Sequence, residues 1–582
     1  MYLRIRHRSD EGEVGRLHRG RAYQPLRAGS GRYRCNEIVG SGEGFEPGRG
    51  RSALQYGFVI DQTACIGCHA CTVACKTEHD VPLGVNRTWV KYIETGTWPD
   101  TKRAFSVLRC NHCSDAPCVS ICPTGALFRR DDGIVDFDTR LCIGCKSCMQ
   151  ACPYDALYID PLDNTAQKCN YCVHRVEVGL EPACVVVCPE GAIISGDLND
   201  PTTPISRFFQ DQPVGDERLL QRSPEQRTRP NLWYKGADKA AIDPLGAVDP
   251  GDGGIWRDPA PSFMTVDLTP SATGSSNGRK GPASSNGQPE GPPRVVYNTD
   301  HPMPWGWRVS SYFLTKGISA GIVMALALSL LFGADSQSAF ARWGAPLISG
   351  LFLALTGVLL VADLKRPDRF YYILTKGNPG SWLVKGAWIL TAHAMILGLW
   401  FLFGLAGADF VPVLIWASTA VGVGVACYTA FLFGQAEGRD LWQSPTLFWH
   451  MLGGALAVGG AAGLLCAGIF DLGLSSRRAF AWALVAGAAA LAIVTAIEFF
   501  SRCPTSNHAA GMHHLTKGAH AAEWWLGGHV IGVVAPLVLG AAFLGGAGAP
   551  FWLSQLGGLA ALIGIWFADD AFVRAGQSVP LS

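Results

Sequence analysis

The stretch Cys142-Ile143-Gly144-Cys145-Lys146-Ser147-Cys148-Met149-Gln150-Ala151-Cys152-Pro153 decides how the first third of this 582-residue chain is read. Its spacing is C-x-x-C-x-x-C-x-x-x-C-P. Cys65, Cys68, Cys71 and Cys75 repeat that cysteine spacing upstream. Cys110, Cys113, Cys118 and Cys122 form another quartet, and Cys169, Cys172, Cys184 and Cys188 a fourth with an insertion in its middle gap. Sixteen of the twenty cysteines are used in this way. Three closely spaced thiolates grip three corners of an iron–sulfur cubane, and the fourth cysteine, three residues on, reaches the neighbouring cluster. The array predicts four [4Fe–4S] clusters in two pairs that share ligands crosswise. Such a domain is a wire for electrons.

Rival readings explain less. C-x-x-C pairs also bind zinc, but a structural zinc site takes four ligands in two pairs and has no use for the third cysteine or the C-x-x-x-C-P tail. A disulfide scaffold belongs to short secreted chains without this spacing. Cys65-Ile66-Gly67-Cys68-His69 matches the c-type haem attachment pattern, yet both its cysteines are needed by the first quartet and no haem is expected. Cys35, Cys427, Cys466 and Cys503 have no partners at metal spacing, and Cys427 and Cys466 read as small core residues.

The net charge of +1 points to no nucleic-acid partner. It averages over a sharp division, with cysteine chemistry before residue 200 and long apolar segments after residue 310. Residues 1–55 are Arg- and Gly-rich without an apolar run, and read as a disordered extension or an over-extended gene start. Residues 56–200 form the four-cluster domain, an α+β ferredoxin-like unit of two di-cluster halves. Residues 201–262 read as an irregular extension of it and residues 263–305 as a flexible Gly/Ser/Pro linker. Residues 306–582 complete the fold as an all-α membrane bundle.

Eight apolar stretches in that last part are long enough, or nearly so, to cross a bilayer: 312–334, 343–362, 386–408, 410–434, 446–470, 479–498, 524–548 and 551–570. An even number leaves both ends of the bundle on one side. Eleven basic residues border that side, among them Lys365, Arg366, Arg369, Lys376 and Arg439, against Arg342, Arg477 and Arg478 opposite. The positive-inside rule then predicts an inner-membrane protein with its cluster domain in the cytoplasm.

Polar residues inside apolar spans are expensive and mark function by default. Lys316, Asp363, His393, Tyr428 and His450 fall in the cluster-side halves of the first five spans. Glu498, Glu523 and His529 lie toward the same side. Snorkelling to the interface is the alternative for Lys316, Glu498 and Glu523, and an ion pair locking the helix end is the alternative for Asp363 and Arg366. Proton-capable groups facing an electron wire are what quinone chemistry requires, since two electrons and two protons move together.

With these motifs quoted, the chain resembles two subunits of the complex iron–sulfur molybdoenzymes joined end to end. Residues 57–200 resemble the four-cluster subunit of dimethyl-sulfoxide, polysulfide and sulfite-type oxidoreductases. The quoted third motif, Lys168-Cys169-Asn170-Tyr171-Cys172 and Cys188-Pro189-Glu190-Gly191 carry that likeness. Residues 308–582 resemble the NrfD/PsrC-type membrane anchor, through Asp363-Leu364-Lys365-Arg366-Pro367 and Asn378-Pro379-Gly380-Ser381-Trp382. The resemblance implies that the first and fourth quartets build one cluster pair and the second and third the other. It also implies a quinone, menaquinone or ubiquinone, bound near the cluster domain by residues among Tyr428, His393, Asp363, Arg366, Lys316 and His450. Lys316 stands where a histidine is expected. A separate molybdopterin-containing catalytic subunit would select the substrate, so the chain is not itself catalytic toward it. The alternative is a molybdenum-free membrane complex that exchanges electrons with a cytochrome or another iron–sulfur protein.

Overall fold

A computed structural model describes residues 54–97, 99–211, 219–248, 292–300, 302–408, 410–545 and 549–582. The expected N-terminal extension up to residue 53, Cys35 and the linker from 263 to 291 lie outside the described residues.

The strands of the cluster region are β1 (Tyr56–Asp61), β2 (Thr88–Thr97), β3 (Asp100–Arg109), β4 (Leu127–Arg129), β5 (Val135–Phe137), β6 (Leu157–Ile159), β7 (Ala166–Lys168), β8 (Ile193–Asp197), β9 (Leu219–Leu220), β10 (Leu232–Lys235) and β11 (Arg294–Tyr297). The main sheet has the order β8-β1-β10-β9, with β1 antiparallel to β8 and parallel to β10. Both faces of β1 are covered: Phe58 and Ile60 enter one core, Val59 the other. The period of two along a strand demands this division. The hairpins β4–β5 and β6–β7 each follow a cysteine quartet.

Two expected boundaries are corrected. The segment after residue 200 is not irregular throughout, because β10 lies inside the main sheet, between β1 and β9. The segment up to 305 is not linker throughout, because β11 pairs with β2. Both strands are short, and they hydrogen-bond to partners more than 100 residues away, so no local periodicity announces them.

The eight spans are α1 (Trp307–Leu331), α2 (Phe340–Asp363), α3 (Trp382–Leu405), α4 (Val411–Gly434), α5 (Leu447–Cys466), α6 (Leu474–Phe500), α7 (Glu523–Gly545) and α8 (Trp552–Ser578). They coincide with the eight apolar stretches, most ends within five residues, and the eighth runs on eight residues past the expected end to Ser578. α1 and α5 form the centre, 78% and 72% buried, while α3 is 22% buried and presents most of its surface outward. The α1–α5 crossing is close because it is made of glycine: a Cβ on Gly459 would stand 2.0 Å from the Gly321 carbonyl carbon. Small residues are how membrane helices approach in the absence of a hydrophobic drive.

Candidate functional site

In each quartet the third cysteine is the second residue of a short helix. These helices are Ala70–Glu78 with Cys71, Pro117–Ile121 with Cys118, Ser147–Ala151 with Cys148, and Ala183–Val186 with Cys184. The loops before two of them turn alike: Gly67 and His69 in the first quartet, Gly144 and Lys146 in the third, all have φ between 60° and 71°. Left-handed backbone at these points curls the chain so that successive thiols face one centre.

The thiols gather in four groups. One cavity is lined by Cys65, Cys68, Cys71 and Cys188, another by Cys142, Cys145, Cys148 and Cys122. Cys75 feels the charges of Cys169, Cys172 and Cys184. Cys118 feels those of Cys110, Cys113 and Cys152. The fourth cysteine of each quartet therefore crosses to another quartet, first with fourth and second with third. The groups follow one another in a line, linked by Cys71 with Cys184, Cys169 with Cys110, and Cys148 with Cys118.

The surroundings fit iron–sulfur clusters. None of the described cysteines is in a disulfide. Burial pushes the Cys71 thiol up to about 11, and the Cys145, Cys152 and Cys172 thiols up to about 12. A thiolate at these positions needs a cationic centre beside it. Arg109 is fully buried and donates to Cys184 Sγ at 3.0 Å, leaving Nε and Nη2 without partners. Thr72, Asn111, His112 and Ser147 likewise hold unpartnered buried polar atoms able to donate, each next to one of the sixteen cysteines. Unpaired buried donors are rare in proteins, and cluster sulfides are acceptors that would satisfy them. His69, the residue of the haem-like motif, packs on the rings of Tyr92 and Tyr297 at 5.4 and 5.2 Å.

The second and third quartets face the helix bundle. The amides of Lys365 and Arg366 donate to the carbonyls of Gly144 and Ile143, each at 3.1 Å. Arg369 Nη1 donates to the Cys142 carbonyl at 2.9 Å, and Trp305 Nε1 to that of Cys145 at 3.3 Å. Asn378 Nδ2 donates to the Cys122 carbonyl at 3.1 Å. Gly144 sits so close to α2's exit that a Cβ there would meet Lys365 Cβ at 2.6 Å.

At this boundary Lys146, between two cysteines of the third quartet, places Nζ 2.8 Å from Asp363 Oδ2. Both residues line a cleft of about 1020 Å³ between the two regions. Buried Tyr312 lies within electrostatic reach of Asp363, Tyr428 and Asp569. Lys316 is 1% exposed and donates to the Ala426 carbonyl at 2.8 Å and to Thr429 Oγ1 at 2.6 Å. Its ammonium stands 4.9 Å from the Tyr428 ring centroid. The Tyr428 ring fits against α3 only because residue 386 is glycine, where a Cβ would stand 2.3 Å from it. His450 Nε2 is 3.7 Å from Asp569 Oδ1.

Four sequence-based expectations change. Lys316 does not snorkel; it is held inside the bundle by a carbonyl and a hydroxyl. Arg366 leaves the site, paired with Asp368 by two 3.0 Å bonds and bonded to the Asp163 carbonyl at 3.3 Å. Asp363 therefore pairs with Lys146 and not with Arg366. His393 lies about three turns inside α3 and faces Ser418, 3.5 Å away, with Nε2 unpartnered. Ser418 is roughly 15 Å along α4 from Tyr428, so His393 is not brought to it. Lys146, Tyr312 and Asp569 were missed. Lys146 was hidden inside a cysteine motif, Tyr312 at the very edge of a span. The adjacent pair Asp569-Asp570 in the eighth apolar stretch was the available signal for the third.

Both regions have matches among known proteins. Residues 64–127 and 101–198 match models of the 4Fe-4S dicluster domain, and residues 295–545 match the model described as polysulphide reductase, NrfD. The sequence is 41% identical over 220 residues to a tetrathionate reductase subunit of Salmonella typhimurium, covering 37% of this protein and 85% of that one. It is 40% identical over 194 residues to a polysulfide reductase component of Wolinella succinogenes, 33% of this protein and 99% of that one. Protein NrfC of Escherichia coli is 44% identical over 185 residues, 31% and 81% of the two proteins. This protein belongs to the family of these iron–sulfur subunits, here fused to an NrfD-type membrane anchor. It is a multi-pass membrane module for electron transfer.

Proposed function

We propose that the sixteen cysteines hold four [4Fe–4S] clusters and that the chain passes electrons between a molybdopterin-containing catalytic subunit and membrane quinone. The contact between Lys146 and Asp363 carries this reading: the residue between two thiols of the last group touches the carboxylate that opens the polar site. Electrons arriving at Cys142, Cys145, Cys148 and Cys122 are then next to groups that handle protons. The other end of the line suits a partner protein. Cys68 is exposed, and Ile66, Val73, Val186 and Val187 are exposed apolar residues beside cysteines of the outermost group.

At the membrane end, the Tyr428 phenol would hydrogen-bond a quinone carbonyl, with Lys316 and Asp363 exchanging the proton. The reductase names of the relatives support a separate catalytic subunit, and the charge bias supports a cytoplasmic position for it. Electron direction follows from cluster potentials, which surroundings set over a wide range. To test the reading, the full chain is loaded with clusters, reduced with dithionite and mixed with menadione. Tyr428→Phe and Asp363→Asn should slow cluster reoxidation while the cluster spectra stay intact. Unchanged reoxidation in both would move the quinone elsewhere.

A further inference from the structure

Two features of the membrane half remain unused. The first is a cavity of about 20 Å³ between α1, α5 and α8, whose polar lining is Lys316, His450 and Asp569. About 10–15 Å³ suffices for one water when two to four polar groups surround it. The 3.7 Å between His450 Nε2 and Asp569 Oδ1 is too long for a good direct hydrogen bond, and both side chains border the small cavity. Lys316 and Asp569 are within electrostatic reach of each other.

The second feature is a separate cavity of about 220 Å³ where α5, α6, α7 and the helix Ser506–Thr516 meet on the cluster side. Ser444, Thr446, Glu498 and His508 are among its lining residues. Glu498 Oε1 accepts hydrogen bonds from Ser444 Oγ at 3.0 Å and from Thr446 Oγ1. The Thr446 carbonyl accepts the His450 amide at 3.0 Å, so His450 lies one turn further in. Glu498 is within electrostatic reach of both His450 and His529.

We propose that Glu498, His450 and Asp569 form a proton route from this cavity to the Lys316–Tyr428 pair, distinct from the cleft at Asp363. The proposal rests on the quinone reading and adds an entrance to it. When a quinol gives two electrons to the clusters, two O–H bonds break and two protons must leave; in reverse, each quinone oxygen takes one. Tyr428 and Lys316 exchange the proton with the quinone oxygen. Asp569 and His450 relay it through the small cavity, and Glu498 trades it with water. A merely structural role for the His450–Asp569 pair would need neither the water-sized space nor a carboxylate at the mouth.

The test uses the full-length, cluster-loaded chain, with menadione as oxidant and menadiol as reductant. Glu498→Gln and Asp569→Asn should each slow exchange by on the order of 10–100-fold, with unchanged cluster spectra. They should enlarge the solvent deuterium isotope effect. Azide, a small weak acid, should restore Glu498→Gln but not Tyr428→Phe. Asp569→Glu should keep most of the rate; if Asp569→Asn fails to assemble, Glu498→Gln carries the test alone. Wild-type rates and isotope effects in Glu498→Gln and Asp569→Asn overturn the route, and the quinone site then stands if Tyr428→Phe is still slow. Wild-type behaviour in Tyr428→Phe as well overturns the quinone reading itself.

Discussion

Both halves of the molecule bury lysines, and the partners differ. Lys168 in the cluster domain is fully buried; Nζ donates to the Cys169 carbonyl at 2.9 Å and to the Val135 carbonyl, and Arg109 nearby reaches a cysteine sulfur. Lys316 in the bundle is buried as deeply, but it faces Tyr428, Thr429 and, across a small cavity, His450 and Asp569. An uncompensated buried charge is expensive in either place. In the first half the compensation is fixed, because thiolates bound to iron do not titrate. In the second the direct partners are a carbonyl and a hydroxyl, and titratable groups, Tyr428, His450 and Asp569, stand around them. Under the proposed function, this difference would separate the two tasks: one half would move electrons at constant protonation, and the other would let protons follow.

The strongest way to break this contrast is to remove the fixed charges. Chemical analysis should give about sixteen iron and sixteen acid-labile sulfide per chain. Stripping the iron with a chelator should unfold the cluster domain, whose thiol groups are buried among unpartnered donors, and leave the helical circular dichroism of the bundle. Cys145→Ser should damage mainly the cluster held by Cys142, Cys145, Cys148 and Cys122. Cys152→Ser should damage the one held by Cys110, Cys113 and Cys118. Paramagnetic resonance separates the two, and identical spectra would end the crosswise assignment.

A smaller effect belongs to the titratable half. Lys316→Met leaves the Ala426 carbonyl and Thr429 without their donor and should lower quinone turnover by roughly 10²-fold with intact clusters. The contact between the halves matters less again. Lys146→Ala strands Asp363 and should weaken docking of the two regions by about 1–3 kcal/mol, read as earlier thermal unfolding of the cluster domain. A cysteine placed at Ser476 should be labelled from outside intact cells and one at Thr375 should not. The reverse pattern would mean that the basic residues dock the cluster domain and do not set topology.

The cysteine quartets were legible in the sequence because most of their members sit three or four residues apart, within one loop and one turn of helix, the gaps Cys113–Cys118 and Cys172–Cys184 excepted. The eight spans were legible because bilayer thickness sets their length. β10 and β11 were not, since each is four residues whose role depends on a distant partner. The polar site was half legible. Lys316, Asp363, Tyr428 and His450 stood out as polar residues in apolar runs, but spacing within one helix says nothing about which neighbouring helix they face. Thus Arg366, three residues from Asp363, turned to Asp368, and Lys146, more than 200 residues away, took its place.

The central claim is that quinone meets the wire at the group of Cys142, Cys145, Cys148 and Cys122. It is tested most directly by titrating the reduced full chain with a quinone-like inhibitor, heptyl-hydroxyquinoline-N-oxide, and following each cluster's paramagnetic resonance signal. The signal that shifts should be the one missing from Cys145→Ser, and the shift should vanish in Tyr428→Phe. A shift confined to the signal missing from Cys68→Ser, or saturable binding with no shift at all, would contradict the account.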